Sequence, residues 1–246
     1  HVDYTHDALE WYLRQRYDFD HLPTFFPFGG TLTEADVDTV VAPPLNGIVE
    51  YGSHTLWLTQ SHLAGVDDAR VVENWLTRTF PLITEQYPAG IKLTGYILQP
   101  RLTQLPILSE NARHLNAEVQ PAITLAACEL TTPVGGARDE FMPPPSGWVH
   151  VRTWWQATAP ITVDFFSTAQ VVGPQGVWGD KLTRATETLR MIPTTTWIEG
   201  EFVREETDIN LNPLTPPGTY SVMVGLAGAE GQPAGEAVEC GTVEIR

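Results

Sequence analysis

The feature that most constrains the fold is a pair of alternating segments separated by a proline-rich loop. The first segment covers residues 202–211, the loop residues 212–218 (NPLTPPG) and the second segment residues 219–225. In the second segment every other residue is apolar or aromatic: Tyr220, Val222 and Val224. Alternation on both sides of a Pro/Gly turn is typical of antiparallel strands with one buried face. We predict that the two segments form an antiparallel strand pair, with Trp197 closing one end of the core.

The rest of the second half of the chain continues this pattern. The segments that read as strands are residues 122–131, 148–156, 161–170, 196–211, 219–226 and 237–245. Turn sequences rich in Gly and Pro, such as TTPVGGA, VGPQG and AEGQPAG, separate them. Regular strands with such turns predict a jelly-roll-like antiparallel β-sandwich over residues 105–246.

The first half of the chain has a different sequence pattern, in which predicted helices alternate with short predicted strands. The predicted helices cover residues 7–16, 33–41, 48–51 and 67–80, with Pro43 and Pro44 interrupting the second. The predicted strands cover residues 55–59, 82–86 and 91–98. This order predicts a small α/β domain over residues 1–104, and the fold class is therefore α+β with two domains.

Charge and composition exclude several classes of partner. The net charge of −16 argues against nucleic acid, which requires clustered Lys and Arg, and against anionic lipid headgroups. The twenty Gly and twenty Pro residues favour a turn-rich β architecture. No window has the run of about 18 apolar residues that a membrane span requires.

The two cysteines, Cys128 and Cys240, each lie in a strand-like run. Facing one another across a sandwich, they would form a disulfide and indicate an oxidising compartment. Two buried free thiols are the alternative, because spacing alone does not determine pairing.

Residues that carry chemistry do not form a recognisable constellation. The histidines are scattered, so we predict no metal site, and no phosphate-binding or dinucleotide-binding glycine motif indicates a cofactor. A pair of carboxylates for glycoside hydrolysis would have to combine Asp164 with Glu199 or Glu201. The acidic run over residues 199–208 is interpreted as a solvated strand face instead of a calcium site. No catalytic residue is predicted.

Several motifs in the second half match a known family. They are W-x-A (155–157), D-[FY] (164–165), T-x-W-x-x-G-E (195–201), P-P-G-x-Y (216–220) and V-G-L (224–226). With them, the chain resembles the extracytoplasmic C-terminal region of bacterial polytopic membrane glycosyltransferases of the dolichyl-phosphate-mannose-protein mannosyltransferase type. In the first half, TLWLTQS and VVENWLTRTFP resemble the small α/β domain that precedes the sandwich in that family. Relative to it, an initial strand–helix unit is missing here.

The resemblance implies a location on the extracytoplasmic face of the bacterial cell membrane, attached to the parent protein's own membrane-spanning region. The family's catalytic acidic residues follow its first membrane span, so the resemblance assigns no catalytic residue to this chain. The expected role is a non-catalytic accessory module of a glycosyltransferase that recognises a glycan or a lipid-linked sugar acceptor.

Tryptophans suggest where a sugar would bind. Trp154 and Trp155 are adjacent in a predicted strand and must point to opposite faces, so one lies in the core. Trp178, in the Gly-rich segment GPQGVWGD, is the one we expect nearest to solvent. Exposed indole rings stack on sugars, and a free-standing carbohydrate-binding protein that uses Trp178 and one of Trp154 and Trp155 is the alternative function. Ordinary core packing is the competing explanation for all three.

Overall fold

The computed structural model describes residues 31–50, 52–60, 63–65, 67–87, 91–132, 134–138 and 146–246. The predicted helix at residues 7–16 lies outside them. Nearly half of the described residues lie in β-strands, almost all of them antiparallel, and few lie in helices. The chain divides into two units, one comprising residues 1–80 and 85–98 and the other residues 81–84 and 99–246. No helix among the described residues has the length and apolar character needed to cross a bilayer.

The first helical segment of the first unit changes type at its prolines. A 3-10 turn at Glu34–Asp36 leads into a π-helical turn at Val37–Val41 and then into helix α1, Ala42–Glu50. Pro43 and Pro44 fall in the first turn of α1, where a missing backbone N–H is tolerated. The expected interruption is therefore wrong: the helical segment continues and only its hydrogen-bonding pattern changes.

The next elements along the chain follow the predicted order. They are strand β1 (Thr55–Gln60), helix α2 (Val71–Thr79), strand β2 (Leu82–Gln86) and strand β3 (Lys92–Ile97). The strands form a three-stranded sheet in the order β1–β3–β2. Asp67 accepts hydrogen bonds from the backbone N–H groups of Val71 and Val72, which fixes the start of α2.

The second unit contains one large sheet. Its strands are β4 (Arg101–Leu102), β5 (Ala112–Gln120), β6 (Ile123–Leu130), β7 (Val134–Gly135), β8 (Trp148–Ala157), β9 (Phe166–Gly173), β10 (Gly176–Lys181), β11 (Phe202–Leu211), β12 (Gly218–Ala227) and β13 (Pro233–Ile245). Their order is β5–β6–β8–β11–β10–β9–β12–β13–β7, with β4 also pairing with β11. The pairing is antiparallel except between β13 and β7. A short helix, α3 (Thr188–Met191), lies between β10 and β11.

The predicted pairing of residues 202–211 with residues 219–225 is wrong. Both segments are strands, β11 and β12, but β10 and β9 lie between them in the sheet. β11 pairs with β8 and β10, whereas β12 pairs with β9 and β13. The loop between β11 and β12 is hydrogen-bonded to β10: the backbone N–H of Asn212 donates to the carbonyl of Trp178 at 2.8 Å.

The sheet curls until its two ends approach each other along a seam. At this seam Cys128 of β6 and Cys240 of β13 form a disulfide, with their Cα atoms 5.8 Å apart. Arg113 of β5 donates to the backbone carbonyl of Cys240 at 3.2 Å. A Cβ atom on Gly235 of β13 would lie 1.8 Å from the carbonyl oxygen of Val119 in β5, so only glycine allows this approach. The seam nearly closes the sheet into a barrel.

The core fills the inside of this curved sheet. Alternate residues of β8, β9, β11 and β12 point inward and are almost fully buried, as the pleat requires. Among the residues that the structure describes, Trp155 is the largest fully buried side chain. Trp197, 5% exposed, packs against the same core, and its indole N–H donates to the carbonyl of Ile192 at 3.0 Å.

Candidate functional site

Strand β11 carries charged residues on both of its faces, and all of them are buried. Arg204, Glu205, Glu206 and Asp208 are exposed by 8%, 1%, 4% and 2%. The interpretation of this acidic run as a solvated strand face is therefore wrong. β11 is an internal strand of the sheet, and its charges meet partners on β8, β9 and β10. Because a buried charge requires pairing and hydrogen bonds, these side chains mark the candidate site.

One group of these charges lies on the face of β11 that points away from the core. We call it the histidine cluster: His150, Arg152, Arg184, Arg204, Glu129, Glu206 and Asp208. The strand register creates it, since His150 of β8 lies opposite Asp208 and Arg152 lies opposite Glu206. Cross-strand neighbours of opposite charge stabilise a sheet.

His150 is held between two carboxylates. Its Nδ1 lies 2.7 Å from Asp208 Oδ1 and its Nε2 lies 2.6 Å from Glu206 Oε2. An ionised carboxylate only accepts hydrogen bonds, so both ring nitrogens must carry a proton. Burial disfavours the charged ring, but the hydrogen bonds and charges of Asp208 and Glu206 outweigh it and raise the pKa of His150 to about 9. His150 is thus a fixed cation with no nitrogen free to act as a base.

Arginines complete the pairing of Glu206. Its Oε1 accepts from Arg152 Nε at 2.5 Å and from Arg204 Nε at 2.9 Å. Arg152 also reaches Glu129 Oε2 at 2.9 Å, which links β6, β8 and β11 in one chain of ion pairs. Burial would raise the pKa of Glu206, but the hydrogen bond and charge of His150 and the two arginine charges lower it to about 2. The cluster therefore stays ionised and ties three strands together.

A second group lies on the inward face of β11. We call it the lysine cluster: Ser167, Lys181, Glu187 and Glu205. Lys181 Nζ donates to the Ser167 carbonyl at 3.0 Å, to Ser167 Oγ at 2.5 Å and to Glu187 Oε2 at 3.0 Å. Ser167 Oγ in turn donates to Glu205 Oε1 at 2.8 Å. Burial raises the pKa of Glu205, against the opposing charge of Lys181.

A serine beside a lysine is also the arrangement of a catalytic nucleophile and its general base. Here the three donors of the Lys181 ammonium each have an acceptor, and one of these is the Glu187 carboxylate. A lysine that donates three hydrogen bonds has no lone pair to receive the serine proton. Ser167 is also only 7% exposed. The lysine cluster is a chain of donors and acceptors, and this geometry suits structural support.

The predicted sugar-binding tryptophans are placed in three different environments. Trp154 and Trp155 do point to opposite faces of β8, but they are only 4% and 0% exposed. Trp178 is half-buried at a bulge in β10, and its ring lies edge-on to Tyr220 with centroids 6.5 Å apart. Of the three, only Trp178 retains ring surface that a solute could reach.

The other candidate residues also have partners of their own. Asp164 Oδ1 accepts from the backbone N–H and the hydroxyl of Thr195. Glu201 accepts from Arg101 at 2.6 Å and from the Ile198 N–H at 3.2 Å. Within the described part of the chain, no group of three or more His, Cys, Asp or Glu residues is arranged to hold a metal ion.

Sequence reasoning singled out the acidic run of β11 but missed the basic residues that pair with it. His150 and Arg152 occupy the polar positions of an otherwise apolar, alternating strand, VHVRTWW, which is a detectable signal. The run REETD at 204–208 is a second signal, because it places charge on both faces of one strand. Lys181 and Glu187 have no local signal, since β10 and the segment after it read as a loop.

Comparison with known proteins does not identify a family. No family model matches the chain, and no curated protein matches it. Among solved structures, a Niemann-Pick type C2 protein from the Japanese carpenter ant is similar over 40% of this chain and 74% of its own, with a TM-score of 0.29 and 9% identity. A similarity of this size carries no argument about fold or function.

Proposed function

We propose that this region is a non-catalytic, extracytoplasmic module of a bacterial membrane glycosyltransferase of the dolichyl-phosphate-mannose-protein mannosyltransferase type. In this proposal a small α/β domain over residues 1–104 precedes a jelly-roll-like sandwich over residues 105–246. The observation that carries the non-catalytic role is the engagement of His150 and Lys181, the best candidates for a base. Both ring nitrogens of His150 and all three N–H groups of the Lys181 ammonium donate hydrogen bonds to acceptors within the fold.

The motifs that underlie the resemblance have structural roles, which supports a scaffold function. In T-x-W-x-x-G-E, Trp197 packs on the core and Glu201 binds Arg101 and the turn N–H of Ile198. In P-P-G-x-Y, the hydroxyl of Tyr220 donates to the carbonyl of Pro216 at 2.7 Å. A tyrosine bonded to the backbone a few residues upstream fixes a corner in many β-sandwiches. These motif residues hold turns in place.

The disulfide supports the extracytoplasmic location. Cys128 and Cys240 are the two cysteines of the chain, and disulfides persist mainly in oxidising compartments. In intact cells that express the parent protein, Cys128 and Cys240 of the denatured protein should react with a thiol reagent only after reduction. Labelling of both cysteines without reductant would contradict this location.

The non-catalytic role is tested by enzymatic assay of the purified chain. We expect no transfer of mannose from a polyprenyl-phosphate donor and no glycoside hydrolysis, while the complete parent protein transfers sugar. Robust turnover by this region alone would refute the proposal. The Lys181→Met and His150→Gln variants would then show whether either cluster supplies the chemistry.

A free-standing carbohydrate-binding protein is the second candidate, and the position of Trp178 favours it. Its ring is half-buried beside Tyr220, and Leu214 in the adjoining loop is 75% exposed. Titration of a glycan panel should then change tryptophan fluorescence, and Trp178→Ala should abolish the change. Trp197→Phe serves as the matched control, because that ring faces the core. A signal that survives Trp178→Ala would exclude Trp178 as the sugar platform.

A further inference from the structure

Strand β1 lies at the end of the small sheet, where its single neighbour among the described strands is β3. At the start of β1, the backbone N–H of Leu98 donates to the carbonyl of His54, the residue directly opposite it. Hydrogen-bonded and non-hydrogen-bonded pairs alternate along antiparallel strands, so every second residue from His54 onward bonds to β3. The backbone groups of the residues between them, Thr55, Trp57 and Thr59, point away from the sheet. Within the described part of the chain they form a row of unpaired donors and acceptors that a further strand can bind.

The edge of β1 also lacks the features that usually protect such an edge. Proteins block open strand edges with charged residues, proline or a bulge. The sequence of β1, TLWLTQ, has no charged residue and no proline, and its register against β3 has no shift. By contrast β5, at one end of the larger sheet, carries Arg113 and Glu118, and its register against β6 shifts twice. The edge of β1 is therefore open to the addition of a strand.

The two faces of β1 differ in what covers them. Leu56 lies opposite Tyr96, whose hydroxyl is 3.1 Å from the Thr77 hydroxyl of α2, so Leu56 and Leu58 lie on the face covered by the helix. Trp57 lies on the other face and is 48% exposed. Tryptophan is enriched among the residues that contribute most to protein interfaces. An added strand would bring a partner side chain next to this ring.

The sequence of the edge is a palindrome, since Thr-Leu-Trp-Leu-Thr reads the same in both directions from Trp57. We propose that β1 pairs antiparallel with β1 of a second copy of this chain, about a two-fold axis at Trp57. In this register Trp57 faces its own counterpart, Leu56 faces Leu58 of the second copy, and Thr55 faces Thr59. Aromatic pairs and threonine pairs directly opposite each other stabilise antiparallel strands. A two-fold interface requires a self-complementary surface, which the palindrome supplies.

The backbone groups fit the same register. The outward groups of Trp57 meet those of its counterpart, and the outward groups of Thr55 meet those of Thr59, so each pair exchanges both of its hydrogen bonds. A two-fold axis at Leu56 or Leu58 instead would set threonine against Trp57 and lose the aromatic pair. The two three-stranded sheets then join in one continuous sheet. The pairing uses only β1, so it does not depend on the glycosyltransferase role proposed above.

Sedimentation of the full chain tests whether the pair forms. One strand pair is a small interface, so we expect a reversible dimer with a dissociation constant of about 10 μM to 1 mM. The measurement is made at physiological ionic strength, because each copy carries a net charge of −16 that salt screens. A chain that stays monomeric at about 1 mM would overturn the inference.

Substitution of the exposed ring tests whether the edge of β1 is the interface. Trp57→Lys removes the aromatic pair and opposes two ammonium groups, so it should weaken the dimer about tenfold or more. Ile198→Lys is the matched control, because Ile198 is 68% exposed and lies in the second unit. It should leave the dissociation constant unchanged, and equal weakening by both variants would exclude β1 as the interface.

Cysteine cross-linking tests the register. The Cα atoms of a hydrogen-bonded pair are about 5.5 Å apart, which a disulfide spans. A mild oxidant should therefore link two copies of the Trp57→Cys variant. Thr59→Cys should stay unlinked, because its counterpart in this register is Thr55. Cys128 and Cys240 do not compete, since they are bonded to each other. Equal linking of the two variants would rule out an axis at Trp57.

Discussion

Reduction of the seam disulfide should destabilise the second unit more than any exposed ion pair does. The bond joins β6 to β13, two strands that are not neighbours in the order of the sheet. Since the chain has no further cysteine, a reductant acts on this bond alone. Oxidised and reduced protein have identical side chains otherwise, so their comparison avoids the cavity that a substitution would leave.

The size of the effect follows from the length of the loop that the bond closes. Cys128 and Cys240 are separated by 112 residues in the sequence. In the chain-entropy model, a loop of this length restricts the unfolded state by about 4.8 kcal/mol at 25 °C, and measured values are commonly about 2–4 kcal/mol. For a domain of this size, such a loss lowers the melting temperature by roughly 10 °C.

Guanidinium titration followed by tryptophan fluorescence measures the loss. We expect the reduced protein to unfold at a lower denaturant concentration, with the free energy of unfolding lowered by about 2–4 kcal/mol. The double variant Cys128→Ala/Cys240→Ala should be insensitive to the reductant. If thiol titration confirms full reduction and the midpoint does not move, hydrogen bonds alone hold the seam and our reasoning about its closure is wrong.

Three further predictions concern the histidine cluster and the seam. The folded-state pKa of His150 is raised to about 9 from an ordinary value of 6.5, so the stability that His150 contributes is complete below pH 6.5 and is lost as the pH rises through 9. The unfolding free energy of the His150→Gln variant should not show this decline. In the wild-type protein, ¹⁵N spectra should show both ring nitrogens of His150 protonated at pH 7. Glu206→Gln should lower the free energy of unfolding, measured with denaturant, by about 3–5 kcal/mol because it breaks a buried ion pair. Glu244→Gln, at an exposed ion pair, should leave the denaturant midpoint unchanged. Equal effects of the two substitutions would contradict the burial assigned to Glu206. Gly235→Ala should lower the melting temperature more than Gly231→Ala, because both positions have a positive φ near 80° but only Gly235 abuts another strand; equal losses would show that backbone strain alone matters.

Alternation in the sequence located most strands but not their partners. Residues 148–156 and 219–226 were predicted within a residue or so of β8 and β12, because the inward positions of both strands are mostly apolar. The predicted pairing of β11 with β12 was wrong because pairing depends on contacts far apart in sequence. The hairpin of β9 and β10 occupies the space between them, and the loop of residues 212–217 offers no signal of this insertion.

Two of the longer strands escaped prediction for different physical reasons. β5 lies at one end of the sheet order, only one of its residues is fully buried, and its register against β6 shifts twice. β10, GVWGDK, reads as a loop, yet Gly179 fits closely there: a Cβ atom would lie 2.9 Å from the Leu211 side chain and 3.1 Å from the Asn210 carbonyl oxygen. Close packing against β11 thus selects a residue that local propensity assigns to turns. Tertiary context decides both cases, and a single sequence does not display it.

The candidate site was predictable only in part, for a related reason. The charges of β11 are visible in the run REETD, and the charges of β8 in His150 and Arg152. Their burial was not predictable, because it depends on the strands beside β11 and on the register that opposes His150 to Asp208. The tryptophans show the same limit: Trp154 and Trp155 alternate as expected, but the alternation alone does not tell which ring reaches solvent.

The seam also sets the order in which this unit can be completed during synthesis. The ribosome releases β5 and β6 early, whereas Cys240 and Gly235 belong to the last strand of the unit, β13. Until β13 emerges, Cys128 has no partner and the inner faces of the earlier strands stay uncovered along one side. Such long-range closure slows folding and exposes apolar surface to aggregation. A nascent chain stalled before β13 should therefore depend on chaperones to a degree that the finished chain does not.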